Sequence, residues 1–90
     1  MANTITTDLH ARVIANIKAY RALRNLTQQQ LADRLHVSQP AIAQLESGAT
    51  VPTLTRITEV AAALGVTPDD LLGNTPRKFS ENSGIGIAAD

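Results

Sequence analysis

The sequence predicts an all-α fold of five helices, and three observations predict it. Apolar residues recur at spacings of three and four as far as Leu72, with no convincing strand alternation. Each periodic stretch is preceded by a threonine or serine able to cap a helix, and most are followed by asparagine or glycine. The connections between them are short. A chain of 90 residues suits one domain with a modest core.

The first helix is expected to start near Thr6 or Thr7, with either hydroxyl as N-cap and Asp8 favourable in the first turn. Leu9, Val13, Ile17 and Tyr20 mark one buried face, and Asn25 suits a left-handed terminator. Thr27 and Gln30 fit a capping box for a second helix, whose inner face is Leu31, Ala32 and Leu35. His36-Val37 forms the turn. Ser38 caps a third helix, where Pro40 is tolerated because the first turn offers its missing N–H no intrahelical partner. Ile42 and Leu45 face inward, and Gly48 ends this helix. Thr53 caps a fourth, with Leu54, Ile57, Val60, Ala61 and Leu64 as apolar positions and Gly65 as its stop. Thr67-Pro68-Asp69-Asp70 opens a short fifth helix that Gly73 closes: cap, proline, then acids at the positive end of the dipole.

Residues 1–73 are therefore read as one domain. Residues 74–90, rich in small and polar side chains, are expected to form a flexible tail. Its Phe79, Ile85 and Ile87 can form a short strand on meeting a partner, a secondary option.

Charge is balanced overall, with eight basic and eight acidic residues, but it is not evenly spread. Residues 9–45 carry five basic residues against Asp33 alone, a local +4; residues 46–90 carry three against six acids, a local −3. Such polarity can attract a polyanion on one side. Without cysteine there is no disulfide or thiolate metal site, and no stretch resembles a signal peptide or a membrane span, so a cytoplasmic protein with no membrane contact is expected. His10 and His36 are the only histidines, and no Gly-rich phosphate loop or metal-ligand cluster appears. Neither an enzyme nor a bound metal or cofactor is expected.

Helical spacing places Gln39, Pro40, Ala43, Gln44 and Ser47 on the outer face of the third helix, opposite Ile42 and Leu45. Ala32 is small where the second and third helices must cross closely. The pieces "RALRNLTQQQLADRL", "VSQPAIAQLESG" and "VPTLTRITEVAAALGVTPDDLL" occur in fixed order and register. Together they resemble the Cro/C1-type (XRE-like) helix-turn-helix family of phage and bacterial repressors, with the two-helix unit at about 27–48.

The resemblance implies a lambda-repressor-like domain that binds double-stranded DNA as a homodimer. It also implies that the third helix enters the major groove while the second crosses the backbone. Carried over by position, Gln39, Gln44 and Ala43 would touch bases, and Gln28, Ser38, Ser47 and Thr50 would touch phosphates. Ala41 can also meet a thymine methyl. A glutamine can pair with adenine N6 and N7, a contact worth roughly 1–3 kcal/mol of discrimination. Arg21 and Glu46 match a charged pair that orients the reading helix.

The chain departs from the family pattern in three places. His36 stands where glycine is common in the turn, the third helix has no lysine or arginine, and Pro40 replaces a possible polar reader. Phosphate attraction would then fall to Arg12, Lys18, Arg21, Arg24 or Arg34. The expected function is a sequence-specific transcriptional regulator, a repressor by resemblance. The alternatives are an antitoxin whose tail holds a toxin, and a protein-interaction module that has lost DNA binding.

Overall fold

The computed structural model describes the backbone of residues 2–73 and the side chains of residues 8–73. The expected tail at 74–90, with Phe79, Ile85 and Ile87, lies outside the described residues. Within them the chain forms α1 (Ala2–Leu23), α2 (Gln28–Leu35), α3 (Gln39–Ser47), α4 (Leu54–Leu64) and α5 (Pro68–Leu72). The described residues hold no strand.

Four of the five starts match the expected caps. Thr27 accepts from Gln30 N–H at 3.0 Å, and Gln30 Oε1 accepts from Thr27 N–H at 2.8 Å, a complete capping box. Ser38 accepts from Ala41 N–H, Thr53 from Arg56 N–H, and Thr67 from Asp70 N–H. Each such cap contributes on the order of 1 kcal/mol by occupying an N–H that the helix cannot bond itself. The start of α1 is a correction. The helix begins at Ala2 and runs through Thr6 and Thr7 without capping there, which moves Asp8 beyond the first turn. Threonine costs a helix only a few tenths of a kcal/mol, so an available cap does not by itself stop propagation.

Turn chemistry follows the residue types. Asn25 and His36 adopt left-handed backbone at φ 57° and 59°. These residues tolerate that conformation better than most. His36 donates its N–H back to Asp33 O, and Val37 does the same to Ala32 O. That pair of hydrogen bonds closes α2 and aims the chain into Ser38.

The core joins all five helices. Val13 and Ile17 of α1 meet Leu31 and Ala32 of α2, Ile42 and Leu45 of α3, a stripe on α4 from Ile57 to Leu64, and Leu71 of α5. Helix α1 packs on α3, α4 and α5, while α2 packs on α3 and α4. Ala32 is fully buried, which lets α2 and α3 approach closely. Two expected core positions are corrections. Leu9 is 44 % exposed and Leu54 is 78 % exposed. Helix α1 has 22 residues, twice as many as the 11 of α4, the longest helix it packs on, so its early turns reach past the core. Leu54 occupies the first turn of α4, at the edge of the apolar stripe, beside the exposed Val51.

One core residue escaped the apolar periodicity. Asn16 lies on the face of α1 that carries Val13, Ile17 and Tyr20, and it is completely buried. Its Nδ2 donates to Leu71 O at 2.7 Å and to Gly73 O at 2.8 Å. These are carbonyls that a five-residue helix leaves open at its C-terminal end. Asn16 therefore fastens α5 to α1. A polar residue breaking a stripe of apolar ones is the signal that points to it.

Candidate nucleic-acid interface

Helix α3 is held from behind. Ile42 and Leu45 are buried, and Glu46, although charged, has a side chain only 4 % exposed. Arg21 meets it with two parallel bonds, Nε to Oε2 at 2.6 Å and Nη2 to Oε1 at 2.9 Å. A third bond runs from Arg21 Nη1 to Leu26 O at 2.7 Å. Donating to the Glu46 carboxylate raises the Arg21 pKa further above its already high ordinary value, against the opposing effect of burial. Arg21 is thus charged at every accessible pH. The expected pair is present, and it links α1 to the end of α3.

From Glu46 the contacts continue outward. Gln28 Nε2 donates to Glu46 Oε1 at 3.0 Å, and Gln28 Oε1 accepts from Gln39 Nε2 at 2.8 Å. The charge-assisted bonds to Glu46 fix the direction of the chain: a carboxylate only accepts, so Gln28 must present its NH₂ there. Its carbonyl then faces Gln39, which must answer with N–H. Gln39 is left with its own Oε1 and one N–H uncommitted. That is the donor-and-acceptor pair that an adenine edge complements.

Arg21, Glu46, Gln28 and Gln39 therefore form one connected chain across three helices. By family position Gln28 is expected at a phosphate and Gln39 at a base, with no link between them. Their pairing joins the first residues of α2 and α3, eleven positions apart, and no local pattern announces it.

The other candidates stand apart from that chain. Gln44 is exposed, as are Pro40 and Ala41, whereas Ala43 is half-buried and presents less surface than its spacing suggested. Ser38 spends its oxygen lone pair on Ala41 N–H and keeps its hydroxyl proton available. Ser47 donates to Gln44 O at 3.0 Å and accepts from Ala49 N–H at 3.3 Å, so its hydroxyl already has partners. Thr50 is exposed, and its carbonyl lies 3.3 Å from His10 Nε2, which ties the loop after α3 back to α1.

Of the basic residues expected to face a polyanion, Arg21 is taken by Glu46 and two more are bonded to α4. Arg24 donates to Leu64 O at 2.8 Å and Arg34 to Ala63 O at 3.0 Å. Both cover the C-terminal carbonyls of α4, where a cation also offsets the negative end of the dipole. Among the described residues, no group of three or more His, Asp or Glu is placed to hold a metal, and no helix is long and apolar enough to cross a membrane.

Known proteins resemble this chain in sequence and fold. A helix-turn-helix family model matches residues 17–71, more than half of the chain. An HTH-type transcriptional regulator of Methanocaldococcus jannaschii is 42 % identical over 55 residues, covering 61 % of this chain and 83 % of its own. The immunity repressor protein of Bacillus phage phi105 is 39 % identical over 57 residues, 63 % of this chain and 40 % of its own. The HTH-type regulator PrtR of Pseudomonas aeruginosa is 46 % identical over 54 residues, 60 % of this chain but only 21 % of its own. The chain thus spans most of the first relative and less than half of the other two. The crystal structure of a hypothetical transcription factor from Neisseria superposes with a TM-score of 0.71 at 28 % identity, covering 76 % of this chain and 78 % of that one. The chain belongs to the Cro/C1-type helix-turn-helix family of DNA-binding transcriptional regulators.

Proposed function

We propose that the protein is a sequence-specific regulator, a repressor, that binds a near-palindromic operator as a homodimer with α3 in the major groove. The observation that carries this reading is the connected chain from Arg21 through Glu46 and Gln28 to Gln39. A buried ion pair costs much of its own attraction in desolvation, so its value lies in specifying geometry. Here that geometry ends in an oriented amide on the outer face of the reading helix. Gln39 and Gln44 are the proposed base contacts, with the smaller surface of Ala43 between them. Gln28, Ser38 and Thr50 are the proposed phosphate contacts, with Ser47 as a fourth that exchanges its bond to Gln44 O for one to phosphate. Gln28 has one N–H left after its two bonds, enough for a phosphate oxygen at the start of α2.

Selection of bound sequences from random duplex DNA tests the reading. Gln44→Ala relaxes preference at one base position and Gln39→Ala at another. Gln28→Ala weakens binding to every sequence and also blurs the position read by Gln39, because that amide loses its holder. If both reading-helix variants select the same sequence as the wild type, the assignment is wrong.

A further inference from the structure

With no lysine or arginine on α3, and with Arg21, Arg24 and Arg34 each bonded to an acceptor of the protein itself, phosphate attraction needs another source. Arg56 is paired with Glu59 at 2.9 Å, which neutralises it locally. Lys18 is different. It is exposed and has no hydrogen-bond or ion-pair partner among the described residues. Together with His10, Ile14, Ser47 and Gly48 it lines one open concavity between the outer face of α1 and the end of α3. The two helices are close there: a Cβ added to Gly48 would lie 3.5 Å from Ile14 Cδ1. His10 and Lys18 lie eight residues apart on one stripe of α1, whereas Arg12 is on another face of the helix.

We propose that Lys18 forms a phosphate seat on α1, beside Ser47, which takes the duplex backbone where the reading helix ends. This rests on the DNA-reading function proposed above. Lys18 supplies the charge. His10 is a positioning residue: its ring, 3.3 Å from Thr50 O, holds the loop after α3 against α1 so that Thr50 and Lys18 face the same strand. Two of the carbonyls at the end of α3 are already occupied, Gln44 O by Ala49 N–H and Leu45 O by Gly48 N–H, and the Lys18 ammonium offsets the rest of that negative end. A merely structural lysine would offset the dipole of α3 and affect stability alone.

The test is fluorescence anisotropy of the full chain on its selected operator and on a scrambled duplex, across a salt series. Wild type loses affinity linearly in log–log form as salt rises. Lys18→Ala weakens both duplexes by the same factor and makes the slope shallower by about one per protomer bound. Lys18→Arg restores the slope. Arg34→Ala, which alters the end of α4, leaves it unchanged. A Lys18→Ala slope equal to that of wild type, or weakening confined to the operator, overturns the seat while leaving the DNA-reading function intact. A wild-type protein that binds neither duplex overturns that function itself.

Discussion

At the scale of single residues, Glu46 bears the most consequence. Its carboxylate receives Arg21 twice and Gln28 once in a nearly closed environment. Replacing it with glutamine keeps the shape but strands a guanidinium that cannot shed its proton. Breaking a buried pair from one side costs on the order of 3–5 kcal/mol. The Arg21 side chain retains 19 % exposure, which favours the lower end of that range. Urea denaturation of Glu46→Gln is expected to show a loss of about 3 kcal/mol. The double variant Arg21→Met, Glu46→Leu is expected to recover most of that loss, because neither charge is then stranded. It still reads DNA poorly, because Gln28 has lost the acceptor that orients it. Full operator preference in a stable double variant would show that the pair stabilises without orienting.

At the scale of elements, what was legible in the sequence was local. The hydroxyls of Thr27, Ser38, Thr53 and Thr67 each act within three residues, and so do the left-handed stops at Asn25 and His36. The early start of α1 was not legible, because caps and propagation differ by amounts too small for one sequence to rank. The exposure of Leu54 and Leu9 depends on where neighbouring helices end, which periodicity does not contain. The ion pair of Arg21 and Glu46 came from family resemblance, and the Gln28–Gln39 contact is purely tertiary.

The attachment of α5 shows in the sequence only as a polar residue within an apolar stripe, and it makes a prediction. Asn16 gives two good bonds to Leu71 O and Gly73 O, yet its Oδ1 is buried without a partner. Each bond contributes about 1 kcal/mol net, and an orphaned acceptor costs about 1–3 kcal/mol, so the side chain as it stands stabilises little. Removing it is costly all the same, because Asn16→Ala transfers the orphaned state to the carbonyls of α5. A loss of about 2 kcal/mol is expected by chemical denaturation. Asn16→Asp, which offers acceptors to acceptors, is expected to lose more at neutral pH. Equal stability of Asn16→Asp and wild type would mean that α5 is held by Leu71 packing alone.

At the scale of the whole molecule, the charge polarity of the sequence gives less to DNA than the total suggests. Arg21, Arg24 and Arg34 supply three of the five basic residues in the positive half, and each has an acceptor within the protein. On the proposed reading, a single protomer therefore engages few phosphates, and α3 offers two amides rather than an arginine fork. Affinity on that footing depends on joining two such surfaces. In a two-fold dimer the second contact becomes intramolecular, which raises its effective concentration without any new interaction. The two reading helices must then lie about 34 Å apart, one turn of the duplex. An insertion of about five base pairs between the half-sites turns the second one to the opposite side of the helix. Gel shift on that duplex is expected to show affinity falling to the level of an isolated half-site, with each half-site sequence intact. Binding that ignores the insertion would mean that each protomer reads alone, and the contacts of one α3 would then have to carry the whole preference.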